Sequence, residues 1–61
     1  MLYTLWRKTN AGAWEEIWTT NDYGQLKDYF SSISCDDYYV AYQIREPSGH
    51  VIDSKQNNEW G

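Results

Sequence analysis

A chain of 61 residues allows one domain with a modest core, because a protein this short buries only about 60% of the surface it exposes when unfolded. Nine acidic side chains against five basic ones, for a net charge of −4, leave no electrostatic footprint for a DNA or RNA backbone. No apolar run approaches the ~20 residues of a membrane helix, and with Cys35 as the single cysteine and His50 as the single histidine the chain can build neither an internal disulfide nor a His/Cys metal site.

Leu2 to Thr9 and Trp14 to Thr20 are rich in Thr, Trp, Tyr and Leu, residues that favour strands. Asn10-Ala11-Gly12 between them has the form of a three-residue hairpin loop, with Gly12 in the left-handed position. Pairing Thr9 with Ala13 sets Arg7 against Glu15, Leu5 against Ile17 and Tyr3 against Thr19. The other face then carries Lys8 beside Trp14, Trp6 beside Glu16 and Thr4 beside Trp18. Opposite charges meet and apolar residues meet, which favours that register.

Asp22 opens the one predicted helix, with Gln25 placed for a capping box. Tyr23, Leu26, Phe30 and Ile33 recur at spacings of three and four and give a single apolar stripe over about Tyr23–Ser32. Ten or so residues do not hold as a helix alone, so the stripe must dock on a sheet. A second hairpin follows. Tyr38 to Glu46 alternates Tyr38, Val40, Tyr42, Ile44 against Tyr39, Ala41, Gln43, Arg45, and Pro47-Ser48-Gly49 repeats the three-residue turn. Pairing Glu46 with His50 sets Ile44 against Ile52 and Gln43 against Asp53 on the return strand, Val51 to Lys55.

The element order is therefore ββαββ, an α+β domain over residues 1–55 with a C-terminal tail at 56–61. A fully antiparallel four-stranded sheet in order 2-1-3-4 is favoured, and order 1-2-4-3 is the alternative. One helix covers one face. The expected covered set is Tyr3, Leu5, Ile17, Val40, Tyr42, Ile44 and Ile52, beneath Leu26, Phe30 and Ile33. Trp6, Trp14 and Trp18 then lie on the open face with Lys8 and Glu16, joined by Tyr39 and Leu2. Such an aromatic patch marks a contact with a partner or a second copy of the chain. Lys8 lying across Trp14, and Arg45 across a neighbouring ring, would instead serve as amphipathic covers.

Catalytic chemistry finds little support. Asp36 and Asp37 directly follow Cys35 with negative charge, which raises a thiol's pKa, and the only candidate base, His50, sits in another loop. Glu15 and Glu16 are adjacent on a strand and point to opposite faces. Asp36 and Asp37 are too few oxygen ligands for a hard cation. No phosphate loop, GxSxG, CxxC or HExxH is present. The expectation is a non-enzyme without cofactor or metal. A lone thiol and the lack of a secretory signal at the start fit the cytoplasm.

The combination of small size, hairpin–helix–hairpin order, many aromatics (18% of residues) and acidity resembles the accessory proteins encoded by bacteriophages and mobile elements. That resemblance implies function by binding, inhibiting or redirecting a larger protein in the host cytoplasm. The leading expectation is a non-catalytic protein-binding module with partner-binding residues Trp6, Trp14, Trp18, Lys8, Glu16 and Tyr39, forming a homodimer or a complex with another protein. The alternative is an acidic mimic of nucleic acid that blocks a DNA- or RNA-processing enzyme through its carboxylates.

Overall fold

Two glycine turns organise the fold. In the computed structural model, which describes residues 1–57, β1 (Tyr3–Thr9) and β2 (Trp14–Thr20) flank the first turn. Helix α1 (Tyr23–Ser32) follows, and β3 (Tyr39–Arg45) and β4 (Val51–Gln56) flank the second turn. Gly12 and Gly49 adopt φ of 90° and 93°, a region that glycine enters without steric cost. Each turn is closed by the same pair of bonds. Thr9 N–H donates to Ala13 O at 2.9 Å and Gly12 N–H to Thr9 O at 3.0 Å, while Glu46 N–H donates to His50 O and Gly49 N–H to Glu46 O, both at 2.9 Å.

The strands form one antiparallel sheet in the order β2-β1-β3-β4, the favoured topology. Registers next to the first turn match the sequence reading, with Lys8 opposite Trp14, Arg7 opposite Glu15 and Trp6 opposite Glu16. Farther out they do not. Ile17 is an extra residue in β2, so Leu5 faces Trp18, Thr4 faces Thr19 and Tyr3 faces Thr20. Val40 is skipped between Lys8–Ala41 and Thr9–Tyr39, and Ile52 between Ile44–Asp53 and Arg45–Val51. Gln43 accordingly faces Ser54 rather than Asp53. Each of the three strand pairs thus contains a β-bulge, and each bulge shifts the two-residue alternation by one.

The physical reason is visible at β2. Ile17 and Trp18 are consecutive and both bulky, and a regular strand would send one of them to each face. The bulge lets both lie against the core. Leu5, Leu26, Phe30, Tyr42 and Ile44 form that buried core, and Tyr3, Tyr23, Ile33, Cys35, Tyr39 and Ile52 pack against it. Val40, expected beneath the helix, instead lines a hollow with Lys8 and the Asn10–Gly12 turn.

Asp22 caps α1 by accepting from Gln25 N–H at 3.0 Å. The reciprocal half of the capping box is replaced, since Asp22 N–H donates to the Thr20 hydroxyl at 3.1 Å. The far end of α1 has no basic residue of its own. Lys55 of β4 supplies the charge, donating to Phe30 O at 2.6 Å and Ile33 O at 2.8 Å. Lys27 on α1 pairs with Asp53 on β4, so the last strand grips the helix at two points. β4 runs to Gln56, one residue beyond the predicted strand, and Asn57 N–H still donates to Val40 O at 2.8 Å. The rest of the expected tail, residues 58–61 with Trp60, lies outside the described residues.

Candidate functional site: the open sheet face

β1 runs through the middle of the sheet without a bulge of its own, so its alternation separates the two faces cleanly. Leu5, Arg7 and Thr9 point to the helix side, and Thr4, Trp6 and Lys8 to the open side. On the open side Trp6 has Glu16 on one flank and Gln43 on the other, and Lys8 has Trp14 and Ala41. Arg45 reaches diagonally across this surface. Its guanidinium carbon lies 4.9 Å from the ring centroids of both Trp6 and Trp14, and its Nε donates to Gln43 Oε1 at 2.9 Å. Lys8 Nζ lies 5.9 Å from the Trp14 centroid. Both cations are thus in cation–π range of indoles, the strongest aromatic acceptors for them. Glu16 Oε1 accepts from the Thr19 hydroxyl at 2.9 Å, and Thr19 stands 3.2 Å from the Thr4 hydroxyl. A polar rail therefore borders the aromatic centre.

Of the six residues expected on this face, Trp6, Trp14, Lys8 and Glu16 are brought together there. Trp18 and Tyr39 are not. The bulge at Ile17 turns Trp18 to the helix side, where it meets Tyr29 edge-on at 5.8 Å. The bulge at Val40 turns Tyr39 to the same side, where the Arg7 guanidinium lies 4.0 Å from its ring centroid. Lys8 over Trp14 and Arg45 over the neighbouring rings are the contacts expected of amphipathic covers; Arg45 was not counted among the partner-binding residues, and Gln43 was not singled out. The signal for them was topological: order 2-1-3-4 places β3 against β1, and their parity on β3 then sets both beside Trp6.

The helix side also has a groove of 320 Å³, lined by Arg7, Ile17, Trp18 and Tyr29, but its cation is already engaged. Arg7 Nε donates to Glu15 Oε1 at 3.0 Å. The remaining candidates are structural. Asp36 Oδ1 accepts from Tyr38 and Tyr39 N–H at 2.8 and 2.7 Å, pinning the loop before β3. Cys35 is half-buried, and burial pushes its thiol above the ordinary value, with Lys55 opposing and Asp36 adding to the rise. Cys35 precedes β3 and His50 follows it, so a strand of seven residues, roughly 20 Å, separates them. Among the described residues no three His, Cys, Asp or Glu side chains converge as a metal site, and no helix is long and apolar enough to cross a membrane.

Compared with family models, with curated proteins and with solved structures, the chain finds no match.

Proposed function

We propose that this chain is a non-catalytic protein-binding module that contacts a larger partner through the open sheet face. The observation that carries the reading is the Trp6–Arg45–Trp14 arrangement. Two indoles and an arginine, the residue types that dominate binding energy at interfaces, stand together on the one sheet face that α1 leaves uncovered. The face is also pre-organised. Arg45 is held by Gln43 and packs against both indoles, which reduces the side-chain entropy left to be lost on docking. Inhibiting or redirecting that partner is the role such a contact surface supports.

The test is capture of a native partner by the immobilised protein, followed by comparison with variants. Trp6→Ser combined with Trp14→Ser should abolish capture, while Tyr29→Ser, on the helix side, should leave it intact. Undiminished capture by the double variant would overturn the assignment of this face.

A further inference from the structure

The five cations of the chain divide by face. On the helix side Arg7 is paired with Glu15, Lys27 with Asp53, and Lys55 with the carbonyls that end α1. Lys8 and Arg45 are the other two, and both lie on the open face. Neither has a carboxylate partner among the described residues, and each rests on an indole instead. Glu16 shares the face but is turned to Thr19. Asp37 borders the same hollow as Lys8 without forming an ion pair with it. A protein with nine acidic side chains has therefore left the two cations without a carboxylate partner together beside two half-buried indoles on the sheet face that α1 does not cover.

We infer that the occupant of this face is an extended acidic segment of a protein partner. Its carboxylates meet Arg45 and Lys8, and apolar side chains farther along the same side of the extended segment lie against Trp6 and Trp14. This rests on the open-face reading above and adds the chemistry of the partner. The geometry suits a strand-like segment. Both cations lie against the same Trp14 ring, at 4.9 and 5.9 Å, and side chains on one side of an extended chain repeat about every 7 Å, so carboxylates two residues apart can address both. The Arg45 fork adds a planar donor set matched to a carboxylate. A second copy of the chain fits less well. Two-fold pairing of this face would bring Lys8 and Arg45 toward their own images, with only Glu16 to offset them. Single-stranded nucleic acid would use the same indoles as stacking platforms, but it brings one phosphate per nucleotide to a protein of net charge −4.

The experiment uses fluorescence anisotropy with a labelled octapeptide carrying Glu, Glu, Tyr and Tyr at its odd positions and Ser at its even ones, and the same peptide with Gln at each Glu, each carrying a neutral solubilising tag. The Glu peptide should bind about tenfold more tightly than the Gln peptide, with the difference shrinking as salt rises. R45Q and K8Q should each weaken the Glu peptide about three- to tenfold while leaving the Gln peptide unchanged. Circular dichroism melts verify the folds, and if R45Q fails to fold, K8Q carries the same test. Equal binding of the two peptides, or no saturable binding of the Glu peptide, overturns the inference. So does tighter competition by oligothymidylate, or sedimentation of the wild type as a dimer that R45Q dissolves. Native-partner capture that needs Trp6 and Trp14 but is unchanged in K8Q and R45Q would remove the acidic partner and keep the binding face. Capture indifferent to both indoles would remove the face itself.

Discussion

Lys55 belongs to β4, yet its ammonium ends the helix. It donates to the carbonyl of Phe30 in the last turn of α1 and to that of Ile33, the residue that ends it, and its ammonium lies 4.6 Å from the Phe30 ring centroid. Lys55→Met keeps the apolar stem and removes the donors, so it should cost about 1.5–3 kcal/mol, the range for hydrogen bonds made by charged groups. Faster amide exchange in the last turn of α1, read by NMR, checks the location of the loss. Asp53 is held below the ordinary aspartate value, chiefly by its hydrogen bond from Lys27, which is itself raised by the same bond. A lowered carboxylate pKa contributes stability that is present above the ordinary value of 3.8 and lost as pH falls through the folded value. Asp53→Asn should therefore melt lower than wild type at neutral pH, and the two melting curves should converge in strong acid. Cys35→Ser, at a half-buried thiol that burial keeps protonated at neutral pH, should leave binding unchanged; loss of binding with an intact fold would assign the thiol a role.

At the scale of elements, the turns and the helix were legible and the bulges were not. Asn10–Gly12 and Pro47–Gly49 carry their own geometry in three residues each, and Tyr23, Leu26, Phe30 and Ile33 carry the period of α1. A bulge has no such local signature here. Ile17 leaves the ladder because Trp18 gains by reaching Tyr29 and the core, an advantage that exists only once α1 is docked. Neighbouring bulky residues in a one-sided strand, such as Ile17-Trp18 and Val51-Ile52, were the available hint that strict alternation would break. The consequence for the site is direct: Trp6, Trp14, Lys8 and Glu16 lie on the turn side of the Ile17 bulge, where the register held, whereas Trp18 and Tyr39 lie past a bulge. Trp18→Ala should thus act on stability, costing about 2 kcal/mol as a half-buried version of a core aromatic truncation, and should leave peptide binding intact in folded protein. Chemical denaturation and anisotropy together separate the two effects. Asp36→Ala removes the acceptor for two backbone donors beside the Val40 bulge and should cost about 1–2 kcal/mol, with Tyr38 and Tyr39 amides exchanging faster.

For the whole molecule, the limiting quantity is core volume. Leu5, Leu26 and Ile44 are completely buried, and they are the largest side chains that are. Leu5→Ala should cost about 2–5 kcal/mol, comparable with the entire stability of a domain this small, and is expected to leave the chain largely unfolded at 37 °C by circular dichroism. The two edges of the sheet, β2 and β4, each include a bulge, at Ile17 and Ile52, which twists an exposed edge away from the flat geometry that recruits other strands.

The grip of β4 on α1 also sets the order in which the protein can come into being. β1 pairs with β3 across most of the sequence, Leu5 with Ile44, and α1 is held by residues 53 and 55, so the contacts that define the fold are long-range ones. Loop closure must precede any reward from them. On a ribosome the nascent chain therefore has no early resting point: the first hairpin lacks its helix, and the helix lacks its clamp, until the final strand has left the exit tunnel. A chain ending at His50, without the strand that clamps α1, should show no cooperative melting by circular dichroism.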